Sequence, residues 1–128
     1  MVGDLGKAYP PRPAFTAPIV DAQGFMTVPT DAVLKHFAQD LPPAKARVVA
    51  ATQGPVSVSA FGSKVSNVAW KTKPSWHIVS SQDGAIAPGE ERFFAKRVKA
   101  TTTELKAGHV AILSQPQAVA AVLSRLIS

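Results

Sequence analysis

The pattern of hydrophobic and polar residues predicts a strand, a helix and a second strand in the C-terminal half of the chain. The first strand is WHIVS, residues 76 to 80, an aromatic and β-branched run that stops at a polar turn. A helix is predicted from about residue 88 to residue 98, because this stretch begins with a proline and two glutamates and ends with basic residues. The second strand is TTTEL, residues 101 to 105, which ends at a glycine turn. Two strands joined by a helix predict a parallel pair with a right-handed crossover.

Shorter elements are predicted before this unit. Residues 1 to 24 contain four prolines and three glycines without a sustained period, which favours an extended, proline-rich arm. Residues 25 to 28 predict a short strand, one helix is predicted to begin near Thr30, and another is predicted over residues 43 to 52. Residues 56 to 61 predict a further helical turn. The N-terminal half is therefore predicted to hold short helices behind a proline-rich approach.

The predicted sheet has an edge that needs a partner. Two parallel strands do not form a stable sheet alone, and all-parallel sheets are buried on both faces. Because WHIVS is largely apolar, its outer edge is expected to bond to a further strand. We expect that strand to come from an N-terminal half on another chain, from a second copy of this chain, or from residues 25 to 28 or 65 to 70. The last helix, from about residue 115, carries an apolar stripe that also needs cover, formed by Val119, Val122, Leu123, Leu126 and Ile127.

Composition narrows the class of protein. With 128 residues, 46% hydrophobic and 17% charged, the chain is long enough for one globular domain and too apolar to be disordered. Its net charge of +6 is spread along the chain rather than clustered, which argues against nucleic-acid binding. No apolar run reaches the length of about 20 residues that a membrane span needs, and the first residues lack the apolar core of a signal peptide. We therefore expect a cytoplasmic protein with no membrane partner. Cysteine is absent and the three histidines lack metal-ligand spacing, so neither a metal nor a cofactor is expected.

Two polar residues follow the predicted strands at the same edge of the sheet. Asp83 comes after the first strand and His109 after the second, each beside a glycine. Sites in parallel sheets lie beyond the carboxyl ends of the strands, so the topology brings a carboxylate and an imidazole together. Each residue also has an ordinary interpretation, as a turn aspartate or as a histidine that caps the next helix. Glu90 and Glu91 are alternative acids, but the helix dipole explains their place at a helix start.

These residues resemble the α/β-hydrolases, and most closely the esterase-like branch of that family. The resemblance runs from about residue 25 to residue 127, and its marks are the stretches KTKPSWHIV, SSQDGAIAP, EERFFAKR and AGHVAILSQP. In the family the acid follows the last strand but one and the histidine follows the last, which implies these roles for Asp83 and His109. No serine here lies in a Gly-x-Ser-x-Gly elbow, and no glycine-rich oxyanion loop is present. The chain therefore looks like the C-terminal half of such a hydrolase.

The resemblance implies an α/β fold in which residues 25 to 62 form a helical cap segment and residues 63 to 128 form the C-terminal core portion. It also implies hydrolysis of an ester or similar small acyl substrate. Asp83 and His109 would be the catalytic members of a Ser-Asp-His triad whose serine lies outside this chain, which would be inactive alone. A second class of function stays open, a non-catalytic remnant or interaction protein that forms a homodimer or binds a partner through its open sheet edge. A basic nucleic-acid binder is the weakest of the three alternatives.

Overall fold

The computed structural model describes residues 8, 9 and 12 to 126 of the chain. Its strands, in chain order, are β1 (Ile19–Val20), β2 (Phe25–Thr27), β3 (Val56–Ser57), β4 (Trp76–Ser80) and β5 (Thr101–Leu105). Its helices are α1 (Thr30–Ala32), which continues as a π-helical turn over Val33–Phe37, α2 (Pro43–Thr52), α3 (Pro88–Arg97), α4 (Ala111–Ser114) and α5 (Pro116–Ser124). Short 3₁₀ turns cover Pro13–Phe15, Val58–Gly62 and Ala69–Lys71. These elements form two separate sheets with helices packed beside them.

The strands β4 and β5 form the parallel pair that the sequence predicts. Trp76 lies opposite Thr101 at one end of the pair, and Ser80 lies opposite Leu105 at the other. The connecting helix α3 packs against β4 and carries acidic residues in its first turn and basic residues in its last turn. It ends before Lys99, which adopts a left-handed φ of 54°. The predicted strand, helix and strand are therefore confirmed, within one residue at the helix end.

The other sheet corrects two predictions about the N-terminal half. Strand β2 pairs antiparallel with β1 on one side and with β3 on the other, so residues 25 to 27 are not the missing partner of β4. Residues 65 to 70 supply no strand either, because they hold a loop and the beginning of a 3₁₀ turn. Residues 56 and 57 form β3 rather than a helical turn, since they complete the ladder along β2. Within the described part of the chain, the outer edge of β4 has no strand beside it.

Two small apolar clusters hold the elements together. The first lies between the π-helical turn and α2 and consists of Val33, Ala38, Leu41, Ala46 and Ala50. The second lies where β4 and β5 meet the last helices, and consists of Ala107, Ala111 and Val119 with Ile78 and Leu105 packed against them. Most of these buried side chains are alanines, so the described residues bring backbone segments close together around a core of little side-chain volume.

The stripe predicted on the last helix is only partly buried. Val119 and Val122 are 8% and 7% exposed, as a core-facing pair one turn apart should be. Leu123 and Leu126 are 53% and 38% exposed, so the described residues of this chain cover only part of the predicted stripe. Ile127 lies outside the described residues.

The proline-rich arm is anchored to the rest of the chain. Arg12 forms an ion pair with the buried carboxylate of Glu90 at the start of α3. Ala14 donates its backbone N–H to the carbonyl oxygen of Gly84 at 2.9 Å. Part of the arm is therefore docked beside the turn that follows β4. The arm is not extended throughout, because a 3₁₀ turn over Pro13–Phe15 precedes the short strand β1.

Candidate active site

Asp83 lies in the turn that follows β4. Its Oδ1 atom accepts hydrogen bonds from the backbone N–H groups of Ala85 and Ile86, at 2.6 and 3.0 Å. Such bonds from an aspartate to the backbone two and three residues later are typical of tight turns. They leave Oδ2 free to point toward the next strand. Asp83 is 8% exposed, so its carboxyl group is held in a buried and fixed position.

His109 lies in the turn that follows β5 and meets this carboxyl group. Its Nδ1 atom is 2.8 Å from Oδ2 of Asp83, which is a short hydrogen bond. The imidazole side chain is 31% exposed, and the structure shows no hydrogen-bond partner for Nε2 among the described residues. The two residues that the sequence singles out are thus brought together at one edge of the parallel pair, with one ring nitrogen bonded and the other available.

The electrostatic surroundings of Asp83 favour its ionised form. Burial alone would raise its pKa, but the hydrogen bonds from His109, Ile86 and Ala85 and the charge of His109 outweigh burial, so that the pKa of Asp83 lies below its ordinary value. An ionised Asp83 accepts a hydrogen bond from Nδ1–H, which holds the proton of a neutral imidazole on Nδ1 and leaves the lone pair on Nε2. The pair therefore presents a base at Nε2.

The end of the π-helical turn holds both of these turns in place through its backbone. The carbonyl oxygen of His36 accepts the N–H of Gly84 at 3.0 Å, and that of Phe37 accepts the N–H of His109 at 3.1 Å. The last carbonyls of a helix have no partner within the helix, so they are free to make such bonds. The ring of Phe37 also packs against the imidazole, with centroids 4.3 Å apart. One helix end thus positions the acid turn and the histidine together.

Side chains that follow this helix end add two further contacts. Gln39 donates its Nε2–H to the carbonyl oxygen of Gln82 at 2.6 Å, next to Asp83. Asp40 accepts the N–H of Gly108 at 2.7 Å through Oδ2, next to His109. Residues 36 to 40, which we call the clamp segment, therefore bond to both turns from one side. Nothing in the sequence pattern of this segment pointed to that role.

Glu91, which the sequence offers as an alternative acid explained by the helix dipole, has an environment that the sequence does not predict. It stands in the first turn of α3, as a dipole-complementing glutamate should, yet it is 6% exposed. Its Oε2 atom accepts the backbone N–H of Ser80 at 3.1 Å, and it lines one cavity together with Asp83. Burial raises the pKa of Glu91 to about 7, with the charge of Asp83 acting in the same direction and the Ser80 hydrogen bond opposing both. The helix dipole alone therefore does not explain this residue.

His77 completes the set of titratable groups at the site. Its Nε2 atom is 3.6 Å from Oε2 of Glu91, which is too long for a hydrogen bond. Burial lowers the pKa of His77 below its ordinary value, so near neutral pH an uncharged imidazole faces a carboxyl group that is only partly ionised, and the two do not form a strong ion pair.

A cavity of about 210 Å³ opens beside these groups. Its lining consists of His77, Ile78, Ser80, Asp83, Ile86, Glu91, Phe94 and His109. In the part of the chain that the structure describes, no group of three or more metal-ligating side chains comes together. The imidazole of His109 can take up and release a proton at Nε2, so the arrangement supports acid–base chemistry.

The chain belongs to the α/β-hydrolase family. Its sequence matches the Alpha/beta hydrolase family over residues 1–122, and its parallel strand pair and helices have the fold of that family, which confirms the predicted fold class. Among solved structures it is similar to polyneuridine aldehyde esterase, with a TM-score of 0.78, 14% identity, and coverage of 99% of this chain and 55% of that chain. A histidine-to-alanine mutant of the same esterase matches with a TM-score of 0.76, 15% identity and the same coverage.

The extent of these matches agrees with the predicted C-terminal portion of a hydrolase. The chain spans 55% of the length of the esterase structures that it resembles. A comparison with curated protein sequences gave no significant match. Over residues 8, 9 and 12 to 126, no helix has the length and apolar character needed to span a membrane.

Proposed function

We propose that Asp83 and His109 are the acid and the base of a Ser-Asp-His triad that hydrolyses an ester or a similar small acyl substrate, and that the serine lies outside this chain. The observation that carries the proposal is the hydrogen bond of 2.8 Å between Oδ2 of Asp83 and Nδ1 of His109, formed beyond the carboxyl ends of two parallel strands. Membership of the α/β-hydrolase family and the similarity to an esterase support the same chemistry.

Each residue has a distinct part in the proposed reaction. His109 takes the serine proton at Nε2 as the hydroxyl oxygen attacks the acyl carbon, and it later returns that proton to the leaving group. Asp83 fixes the ring so that Nδ1 carries the other proton, and it stabilises the imidazolium that forms. The low pKa of Asp83 suits this part, because only an ionised Asp83 carries the negative charge that stabilises the imidazolium. Neither residue supplies a nucleophile, so the chain alone is expected to be inactive.

The division of the chain is part of the same proposal. Residues 25 to 62 form a cap segment, and residues 63 to 128 form the core portion that carries the dyad. Support comes from the clamp segment, whose carbonyl and side-chain contacts run from the first part to the two turns of the second. In this proposal the cap segment covers the substrate and also holds the acid and the base in register.

Complementation with a serine-bearing half tests the proposed function. The chain is mixed with an N-terminal α/β-hydrolase half that carries a Gly-x-Ser-x-Gly elbow, and hydrolysis of a short-chain chromogenic ester is followed. Activity is expected only in the mixture, and His109→Ala should abolish it. His36→Ala is the matched control, because the backbone carbonyl of His36 makes its contact to Gly84 and survives the substitution. Equal activity with and without His109 would overturn the proposal.

A second function is favoured by a different observation. The outer edge of β4 is unpaired within the described residues, and Trp76 at its first position is 42% exposed. Unpaired strand edges with apolar side chains are sites of strand addition. A non-catalytic interaction protein would use this edge to form a homodimer or to bind a partner. A stable dimer in light scattering, together with no activity in the complemented mixture, would favour this alternative.

A further inference from the structure

Glu91 has an unusual environment for a glutamate at the start of a helix. Its side chain is 7% exposed and lines the cavity beside Asp83 and His109. Its Oε2 atom accepts the N–H of Ser80, whereas its Oε1 atom is buried and has no hydrogen-bond partner that the structure records. A buried carboxylate oxygen without a hydrogen-bond partner costs free energy, so the lack of a partner for this oxygen needs an explanation.

The charged and titratable groups around Glu91 narrow the explanation. From β4 it faces His77, whose nearest nitrogen is beyond hydrogen-bonding distance. From the turn after β4, the carboxyl group of Asp83 lines the same cavity and acts on Glu91 through its charge, and Asp83 is in turn bonded to His109. On its own helix, Arg92 forms a two-pronged ion pair with Glu104. The carboxyl group that shares the cavity with Glu91 is therefore that of Asp83.

Two buried carboxyl groups that line one cavity do not both ionise readily. When like charges share a buried site, one carboxyl keeps its proton and the pair is joined by that proton. Asp83 receives hydrogen bonds from two backbone N–H groups and from His109, so it is the better anion. Glu91 receives one such bond. The proton therefore belongs to Glu91.

We propose that Glu91 is a positioning residue, whose protonated carboxyl group donates a hydrogen bond to Asp83 and so fixes the carboxylate against the imidazole of His109. The inference rests on the proposed function of the Asp83 and His109 pair. The raised pKa of Glu91, about 7, supports the protonated form below neutral pH. Above that pH the hydrogen bond is lost and two carboxylates repel each other, so the contact between Asp83 and His109 should loosen.

Nuclear magnetic resonance tests this inference without any need for the serine. The carboxyl carbon of Glu91 is titrated from about pH 4 to about pH 9, and the exchange of the Nδ1 proton of His109 with water is measured over the same range. In the unsubstituted chain Glu91 should titrate near 7 rather than near its ordinary value of 4.5. The Nδ1 proton should exchange faster once Glu91 ionises.

Two substitutions separate the hydrogen bond from the bulk of the side chain. Glu91→Gln keeps a donor for Asp83 and an acceptor for Ser80 but cannot ionise, so it should keep slow exchange of the Nδ1 proton across the whole pH range. Glu91→Met has a similar size and no donor, so exchange should be up to about tenfold faster even at low pH, where the unsubstituted chain is protected. Glu104→Gln, at an exposed glutamate on β5, should leave the exchange unchanged.

The outcomes are distinguishable from those that test the proposed function. If Glu91→Met exchanges at the rate of the unsubstituted chain, or if Glu91 titrates near 4.5, the positioning role is wrong. Should Glu91→Met fail to fold, the exchange profile of Glu91→Gln decides, because a profile that follows that of the unsubstituted chain contradicts the inference. A complemented mixture without esterase activity, with the resonance results as expected, would overturn the proposed function alone.

Discussion

The carboxyl edge of the β4 and β5 pair and the lateral edge of β4 differ in how fully this chain satisfies them. At the carboxyl edge, the clamp segment bonds to the turn of Asp83 and to the turn of His109. At the lateral edge, β4 has no strand beside it in the described residues, and the last two helices leave Ile112 and Leu123 64% and 53% exposed. This chain therefore holds Asp83 and His109 together by itself, while the edge of β4 and these apolar side chains have no cover in the described residues.

The largest expected effect is at the carboxyl edge of the β4 and β5 pair, on the rate of the proposed reaction. In the complemented mixture, Asp83→Asn should lower kcat/KM by roughly 10³ to 10⁴-fold, because an amide stabilises the wrong tautomer of His109 and cannot stabilise an imidazolium. The measurement is ester hydrolysis by purified halves at saturating complement. The turn itself should survive, since the amide oxygen can still accept the N–H groups of Ala85 and Ile86.

The matched control for this substitution is Asp31→Asn. Asp31 is exposed and pairs with Lys35 on the surface of the first helix, far in sequence from either turn. It should leave kcat/KM within about twofold, because exposed ion pairs contribute little. If Asp83→Asn lowered kcat/KM as little as Asp31→Asn, Asp83 would not take part in the proposed reaction.

The next effect tests how tightly the clamp segment fits. A Cβ atom on Gly84 would lie 2.4 Å from the carbonyl oxygen of His36, which is closer than any real contact. Gly84→Ala must therefore push the acid turn away from the clamp segment, and we expect a loss of about 2 to 3 kcal/mol in the free energy of unfolding. Urea unfolding followed by circular dichroism measures this loss.

Gly54→Ala is the control for the effect of removing a glycine. Gly54 lies after α2, its backbone is outside the left-handed region, and a Cβ atom there would meet nothing within 4 Å. This substitution should change the free energy of unfolding by less than about 1 kcal/mol and in the stabilising direction. Similar losses at both glycines would show that the close approach of Gly84 to His36 has no energetic importance.

The same contrast explains how much of the fold the sequence could predict. The parallel pair and its helix are encoded locally, in WHIVS, in the charge order of α3 and in TTTEL, so they were predictable. The placement of Asp83 and His109 at the same edge of the sheet follows from that topology. Strands β1 and β3 have only two residues each and form because β2 lies between them, so no periodicity in their own sequence could reveal them.

The contacts around the dyad were not predictable for a different reason. The clamp segment acts through the carbonyl oxygens of His36 and Phe37, and every residue has a carbonyl oxygen. Glu91 lies in the first turn of α3, where the helix dipole already accounts for a glutamate. Its burial depends on how α3 packs against β4, which a single sequence does not show.

A smaller effect is the pH dependence of stability that Glu91 causes near the carboxyl edge. Burial raises the pKa of Glu91 from 4.5 to about 7 in the folded chain. Below about pH 4.5 both folded and unfolded chains hold this proton, so its contribution to stability is fully present. As the pH rises toward 7, the unfolded chain ionises first and the folded state becomes less favourable. The contribution is lost once the pH passes about 7.

Glu91→Gln removes this dependence, because glutamine does not ionise. Relative to the unsubstituted chain, the variant should gain about 1 to 2 kcal/mol of stability between pH 5 and pH 8, after allowance for the water that reaches the cavity. Urea unfolding at the two pH values measures the difference. Asp83, whose pKa is lowered, loses its own stabilising effect only at more acidic pH, so it does not obscure this window. Identical stability differences at both pH values would contradict the raised pKa of Glu91.

The smallest expected effect on stability is at the exposed apolar face of α5. Leu123 is 53% exposed on α5, so Leu123→Lys should change the free energy of unfolding of the chain by less than about 0.5 kcal/mol. Its effect should instead be on association, because a charge in an apolar contact with a complementing half or a second copy must be desolvated. Titration of the complementing half into each variant measures this, and binding should weaken by roughly tenfold or more.

Val122→Ala, at a buried position one residue away, should show the opposite pattern, with a stability loss of about 1 to 2 kcal/mol and little direct effect on association. Equal binding by Leu123→Lys and the unsubstituted chain would mean that this exposed face is ordinary surface, and that only the edge of β4 is available for further chain.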